Sequence, residues 1–271
     1  MAINISEVTI AWMSKNSGDL ANFSVTLYFG GDLGFFLRQR HPQEPVVRIL
    51  AHKSSVKDII ESCGVPHSEV DLIRCNGKPV DFAFQLEADA RLDVYPVSTG
   101  LTPAPGLQER NIATFVADGH LGKLARELRL LGFDVSYQHD AEDRGLLATA
   151  IQENRALLTR DRPLLMHRVV KNGYYLRSQD PLQQIVEVIR RFELAEKIAP
   201  FTRCLRCNGL LFSVPKKSLI AQLEPLTRLY YNEFQQCAHC HRAYWRGSHV
   251  EKLHRRVELI MGRLRASNVD P

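Results

Sequence analysis

Two cysteine pairs, Cys204-Leu-Arg-Cys207 and Cys237-Ala-His-Cys240, constrain this chain more than any other feature, because segments separated by 29 residues must meet at one point. Each C-x-x-C turn offers two thiolates, and two such turns complete a tetrahedron for Zn²⁺. A redox dithiol is the rival reading, but two pairs occur here without a thioredoxin-like setting. The opening MAINISEVTIAWMSKNSG lacks the basic, apolar and small-residue order of a secretion signal. The cytoplasm is therefore the expected compartment, and metal is favoured over disulfides. Four thiolates leave no open coordination position, so the zinc is expected to be structural. Strand-forming runs in the long spacer are expected to make the hairpin of a zinc ribbon. Cys63 and Cys75 lie in apolar surroundings and read as small buried side chains.

At 271 residues the chain is too long for one ordinary core, which favours two or three domains. No run approaches the roughly 20 apolar residues of a membrane span, so no membrane association is expected. Charge is uneven: residues 1–100 carry a net −3, residues 101–200 a net +1, and residues 201–271 a net +7. A basic end suits a polyanion, because Lys and Arg that neutralise phosphates release condensed counterions. The plainer alternative is a solvated charged surface.

Residues 1–98 read as a small mixed domain. FSVTLYF at 23–29 alternates like a half-buried strand, and Val46-Val-Arg-Ile-Leu50 follows as a second. Ser55 opens a short helix with Val56, Ile59 and Ile60 on one face. Val70–Cys75 is a third strand, ended by the tight-turn dipeptide Asn76-Gly77, and Leu92–Val97 is the last. Two strands, a helix and two more strands make a β-grasp order. The Pro- and Gly-rich stretch STGLTPAPG at 98–106 breaks the periodicity, and a linker is assigned to 99–110.

From 111 to 199 strands and helices alternate: strands at Ile112–Ala117, Val135–Tyr137, Ala156–Thr159 and Tyr174–Leu176, with helices between and after them. Such alternation implies a parallel sheet with crossover helices. Residues 200–271 form the zinc ribbon with a basic C-terminal helix. The whole chain is thus expected to be a multidomain protein of α+β and α/β type.

Asp118 closes the apolar run IATFVA, and Asp161 follows ALLTR. Asp140, Glu142 and Asp143 fall between the second strand and its helix, at the same carboxyl edge where open parallel sheets bind ligands. Carboxylates gathered this way repel one another, and Mg²⁺ or Mn²⁺ relieves that repulsion while keeping waters for chemistry. Taken singly, each aspartate also has a structural reading, Asp118 as a turn and Asp143 and Asp161 as helix N-caps. Lys123 and Arg126 share a helix face, and Arg160 and Arg162 flank Asp161; they read as RNA-phosphate contacts or as surface ion-pair partners of Glu127 and Glu142. Around the cysteines, Arg203, Arg206, Lys216, Lys217, Arg242 and Arg246 accompany Tyr244 and Trp245. That mixture suits single-stranded RNA, although the two aromatics read equally as packing for the ribbon. His249 reads as structural or catalytic.

FVADGHLGKLARELRLLGFDV and DRGLLATAIQENRALLTRD resemble the PIN-like ribonuclease family named after the carboxy-terminal region of the mutator-seven protein. CLRCNGLL and CAHCHRAYWRGSH resemble the two halves of that family's zinc ribbon. GVPHSEVDLIRCNGKPVDF and LDVYPV resemble the ubiquitin-like domain fused to it. The resemblance covers nearly the whole chain and implies a metal-dependent ribonuclease, with Asp118, Asp143 and Asp161 as the motif aspartates and Asp140 or Glu142 as candidates for a fourth. RNA is the implied substrate, with a protein partner for the ubiquitin-like module. A non-catalytic RNA- or ribosome-binding protein that keeps the PIN-like fold is the alternative. A sulfur-carrier role is disfavoured, since such carriers end in a free Gly-Gly whereas YPVSTGLTPAPG runs on into another domain.

Overall fold

A computed structural model describes residues 22–37, 44–97 and 106–266, apart from the side chains of Ser248 and His249. Most of the expected linker at 99–110 and the side-chain role of His249 lie outside the described residues. The chain divides into two compact units, residues 1–107 and 108–271.

The first unit contains β1 (Phe23–Phe29), β2 (Val46–Leu50), β3 (Ser54–Ser55), α1 (Val56–Ser62), β4 (Val70–Cys75), β5 (Lys78–Val80), β6 (Gln85–Leu86) and β7 (Ala90–Pro96). Five of these strands form one sheet in the order β2-β1-β7-β4-β5, while β3 pairs with β6. The first and last strands, β1 and β7, lie parallel at its centre, and every other pairing is antiparallel. Local chemistry fixes the details. The Ser55 hydroxyl accepts from the Asp58 amide at 3.1 Å and starts α1. Asn76 and Gly77, at φ 49° and 81°, turn β4 into β5, as a tight hairpin with two left-handed residues requires. Strand β5 is an addition to the expected elements; at three residues, Lys-Pro-Val is too short to show alternation. Val25, Leu27, Ile60, Leu92 and Val94 are fully buried.

The second unit opens with β8 (Thr114–Ala117), α2 (Gly122–Leu130), β9 (Asp134–Tyr137), α3 (Asp143–Gln152), β10 (Ala156–Thr159), α4 (Arg162–Leu165), β11 (Gly173–Tyr175) and α5 (Pro181–Arg191). It continues through β12 (Leu211–Val214), α6 (Pro225–Tyr230), β13 (Phe234–Cys237), β14 (Ala243–Trp245) and α7 (Ser248–Ala266). Strands β8 to β11 form a parallel sheet in the order β11-β10-β8-β9. From β8 the chain first runs to β9 on one side, then crosses to β10 on the other. The topological switch point, where such sheets open a crevice, therefore lies between the carboxyl ends of β8 and β10. The apolar run Ala156–Thr159 is buried throughout, as expected for a strand covered on both faces.

Strands β12, β13 and β14 make a separate antiparallel sheet. The spacer between the cysteine pairs does supply the expected hairpin, β12 with β13, but it also holds two 3₁₀ turns and α6. Helix α7 turns Val257, Ile260 and Leu264 into the same core cluster as Phe115, Leu128 and Ile189. Each such buried side chain contributes about 1.5–3 kcal/mol, so this face of the basic helix is committed to packing. Among the described residues, no helix is long and apolar enough to cross a membrane.

Candidate acidic site and cysteine metal centre

Asp118 and Asp161 follow adjacent strands, and one buried hydroxyl joins them. Thr159 ends β10 fully buried; its Oγ1 donates to Asp118 Oδ2 at 2.5 Å and accepts from the Asp161 backbone amide at 2.9 Å. The Asp118 amide donates to the Leu158 carbonyl at 3.0 Å, which holds the end of β8 against β10. His120 Nδ1 lies 3.3 Å from the same Asp118 oxygen. Asp161 caps α4, its Oδ1 accepting from the Leu164 amide at 3.1 Å, with Pro163 in the first turn. The capping role read from sequence is therefore real. Yet Asp118 Oδ1 and Asp161 Oδ2 have no partner among the described residues.

Asp143 is the first residue of α3, exposed and without a side-chain hydrogen bond or ion pair among the described residues. The N-cap position itself belongs to Glu142, whose side chain makes no cap bond. Asp140 is exposed, 3.9 Å from His139 Nε2. Open carboxylate oxygens are the hard donors that Mg²⁺ and Mn²⁺ take. Among the described residues, however, the cysteines are the only group of three or more His, Cys, Asp or Glu side chains close enough to hold one ion. The fold joins Asp118 and Asp161 through Thr159 and leaves Asp143 on its own helix.

The basic residues divide. Lys123 and Arg126 are exposed on α2. Arg160 keeps its Nε buried without a hydrogen bond, and the Arg162 guanidinium stands 5.7 Å from the Tyr175 ring centre. Glu127, one expected surface partner, is instead paired with Arg256 at 2.9 Å.

At the other end of α2, Cys204, Cys207, Cys237 and Cys240 place their sulfurs within 4.8 Å of one another. The pairs Cys204–Cys240 and Cys207–Cys237 are 3.7 and 3.4 Å apart. A tetrahedron with zinc–sulfur bonds of about 2.3 Å sets its sulfurs about 3.8 Å apart, so four thiolates here suit one metal ion and are compatible with structural zinc. Asn208 and His241, which follow the two pairs, have φ of 71° and 57° and turn each knuckle back. Gly209 is required by close approach: a Cβ there would meet Cys237 Sγ at 2.8 Å. Backbone amides of Cys207, His239 and Cys240 point at the sulfurs from 3.4–3.5 Å.

The Tyr244 hydroxyl lies 3.0 Å from Cys204 Sγ. Burial pushes the Cys204 thiol up, but the Tyr244 hydroxyl and backbone amides outweigh it and bring the group down to about 6. Cys207 is pushed up to about 12, by burial first and by its crowded fellow thiols next. Tyr244 is thus committed to the sulfur centre and Trp245 packs on Phe234, with ring centres 6.4 Å apart, which is the packing role rather than free stacking on RNA.

Sequence reasoning missed how the knuckle is held. Arg129, buried on α2, donates through Nη1 to the Arg206 carbonyl at 3.1 Å and through Nη2 to the Val135 carbonyl at 2.7 Å. Asn208 donates to Asp134 and accepts from the Val135 amide at 3.0 Å. Arg155 Nη1 lies 2.5 Å and Arg203 Nη2 3.2 Å from the Asp134 carboxylate. Arg203, grouped from sequence with RNA-facing cations, is instead consumed by this contact, by the Gly132 carbonyl and by the Asn208 carbonyl. Burial acts to raise the Asp134 carboxyl, but hydrogen bonds from Arg155 and Asn208 and the charges of Arg155 and Arg203 hold it below the usual range.

Two family models match the chain. One, described as the Mut7-C RNAse domain, covers residues 113–257; the other, the Mut7-C ubiquitin domain, covers residues 22–102. No curated protein and no solved structure matches significantly.

Proposed function

Since the chain belongs to the Mut7-C RNAse-domain family and carries that family's ubiquitin domain, we propose that it is a metal-dependent ribonuclease hydrolysing RNA phosphodiesters at a PIN-like aspartate site. One observation carries the proposal. Asp118 and Asp161 stand beyond the carboxyl ends of neighbouring central strands, joined through Thr159, and each keeps one open oxygen at the switch point of the sheet. Those two carboxylates, with Asp143 contributing from α3, would hold one or two Mg²⁺ or Mn²⁺ ions, Asp143 serving a second ion or a water-bridged position. When bound, such an ion supplies an acidified water and positive charge for the phosphodiester oxygens.

The chain's own residues do the positioning. Thr159 fixes the Asp118 carboxylate and, through the Asp161 amide, the start of α4. The cap on Leu164 holds Asp161 with its second oxygen outward. Lys123, Arg126, Arg160 and Arg162 serve as phosphate contacts. In the remaining unit, a β-grasp domain that docks a protein partner fits the central parallel pair of β1 and β7. We read the cysteine centre as structural zinc and the setting as the cytoplasm.

The test is cleavage of labelled single-stranded and structured RNAs with Mn²⁺ or Mg²⁺, beside Asp118→Asn. Loss of cleavage in a folded variant is expected; full activity would overturn the assignment. The spread of Asp118, Asp143 and Asp161 beyond the reach of one ion favours a second reading, an RNA-binding protein without catalysis. That reading expects RNA bound equally by both proteins and cut by neither.

A further inference from the structure

Helix α2 borders, at Arg126, a cleft that the acidic site does not use. Its volume is about 790 Å³, and it lies between α2, the Cys204–Cys207 knuckle, α6 and β14. That is within the range of roughly 300–1,000 Å³ typical of small-ligand sites. Three arginines line it, Arg126 from α2, Arg206 from inside the knuckle and Arg242 after Cys240, and no carboxylate does. All three are exposed, and among the described residues none of their side chains forms an ion pair or hydrogen bond. Arg129, Arg155 and Arg203 nearby, in contrast, spend their guanidinium groups on hydrogen bonds inside the fold.

The cleft also has an aromatic wall. Tyr230 ends α6 with 70 % of its surface exposed, and Trp245 lies inside. An exposed ring beside unpaired guanidinium groups fits an occupant that is anionic along its backbone and flat in its side groups. We propose that this cleft is a docking site for single-stranded RNA, with Tyr230 stacking on a base and Arg126, Arg206 and Arg242 holding phosphates. The proposal rests on the reading of the protein as one that acts on RNA, and adds where the strand is held. It also gives the strand a course: on α2 exposed Lys123 lies one turn before Arg126, about 4.5 Å at the helical rise, on the side of the residues that follow Asp118. A strand seated on Tyr230 passes Lys123 on its way to the carboxylates.

The test uses the full chain carrying Asp118→Asn, so that RNA stays intact and no chelator disturbs the cysteine centre. Fluorescence anisotropy with a labelled oligouridylate reads affinity across a salt series. Tyr230→Ala is expected to weaken single-strand binding about tenfold. Tyr230→Phe is expected to restore it, and a pre-formed duplex to be indifferent to both. Each of Arg126→Ala, Arg206→Ala and Arg242→Ala is expected to lower the slope of log affinity against log salt by about 0.7. All of these side chains are exposed, and unchanged metal content checks that the knuckle persists. Parent-like affinity and slope in Tyr230→Ala and in the triple arginine variant would overturn the proposal, as would a parent that binds no single strand. Failure of the nuclease reading looks different: the chain with Asp118 intact cuts nothing, while the tenfold binding difference remains.

Discussion

Asn208, the residue directly after Cys207, donates its side-chain amide to the Asp134 carboxylate at 2.8 Å. One residue thus belongs at once to a metal knuckle and to the edge strand of the parallel sheet. The Asn208 side-chain oxygen Oδ1 also accepts from the Val135 amide, on the side of β9 that no other strand covers among the described residues.

Metal removal should therefore be felt in the sheet. In Cys207→Ser the knuckle is expected to lose its ion, and the Val135 amide to exchange with solvent much faster. Amides of β1 and β7 in the other unit are expected to be unchanged. Hydrogen exchange followed by mass spectrometry reads both regions. Unaltered protection at Val135 would mean that the contacts of Arg129, Arg203 and Asn208 keep the knuckle in place without the ion.

Asp134 should make stability depend on acidity in a particular direction. Its folded pKa is lowered, so its contribution is fully present above the ordinary carboxylate pKa of about 4 and is lost as pH falls through the folded value. Asp134→Asn is expected to cost about 2 kcal/mol at pH 7, the scale of hydrogen bonds to a charged group. Urea melts at pH 7 and near pH 3 should show that difference shrinking in acid. A difference constant with pH would assign the effect to shape and not to charge.

Thr159 and Asp161 offer a way to separate structure from chemistry. Thr159→Val removes the hydroxyl that Asp118 Oδ2 accepts from, leaving it only His120, and takes the acceptor from the Asp161 amide, at a cost of about 1–2 kcal/mol. Cleavage is expected to fall at least tenfold, with Thr159→Ser recovering it. Asp161→Asn retains a good N-cap and should melt like the parent, whereas Asp161→Ala should lose about 1 kcal/mol. If both Asp161 variants cut RNA at the parent rate, the residue is a cap and nothing more.

The pattern of residues made much of this legible, and the gaps have physical reasons. Ala156–Thr159 is the strand expected, because an apolar run of three closed by a threonine, between Arg155 and Arg160, is too short for a helix. The positions of Asp118 and Asp161 after strands follow from the same runs. Thr159 went unnoticed because a threonine closing an apolar run reads as strand; its bond to Asp118 exists only once β10 lies beside β8. Arg203 read as a surface cation because Asp134, its partner, is far away in sequence. Helix α6 has too few residues for helical periodicity to stand out. Folding topology, not local composition, made each of these.

That short helix has an evolutionary consequence. Strands β12 and β13 pair from Leu211–Cys237 to Val214–Phe234, and the excursion 215–233 beyond them is tied back through Leu219 and Leu223, which pack on Phe234. Doubling such an insertion adds only about 0.6 kcal/mol of closure entropy. Tyr230 rides on this excursion while the four sulfurs sit behind it. With Leu219 and Leu223 kept in their seat against Phe234, the exposed turns between them and the strands can lengthen or shorten without loosening the cysteine centre, much as an interchangeable bit is held in a fixed chuck.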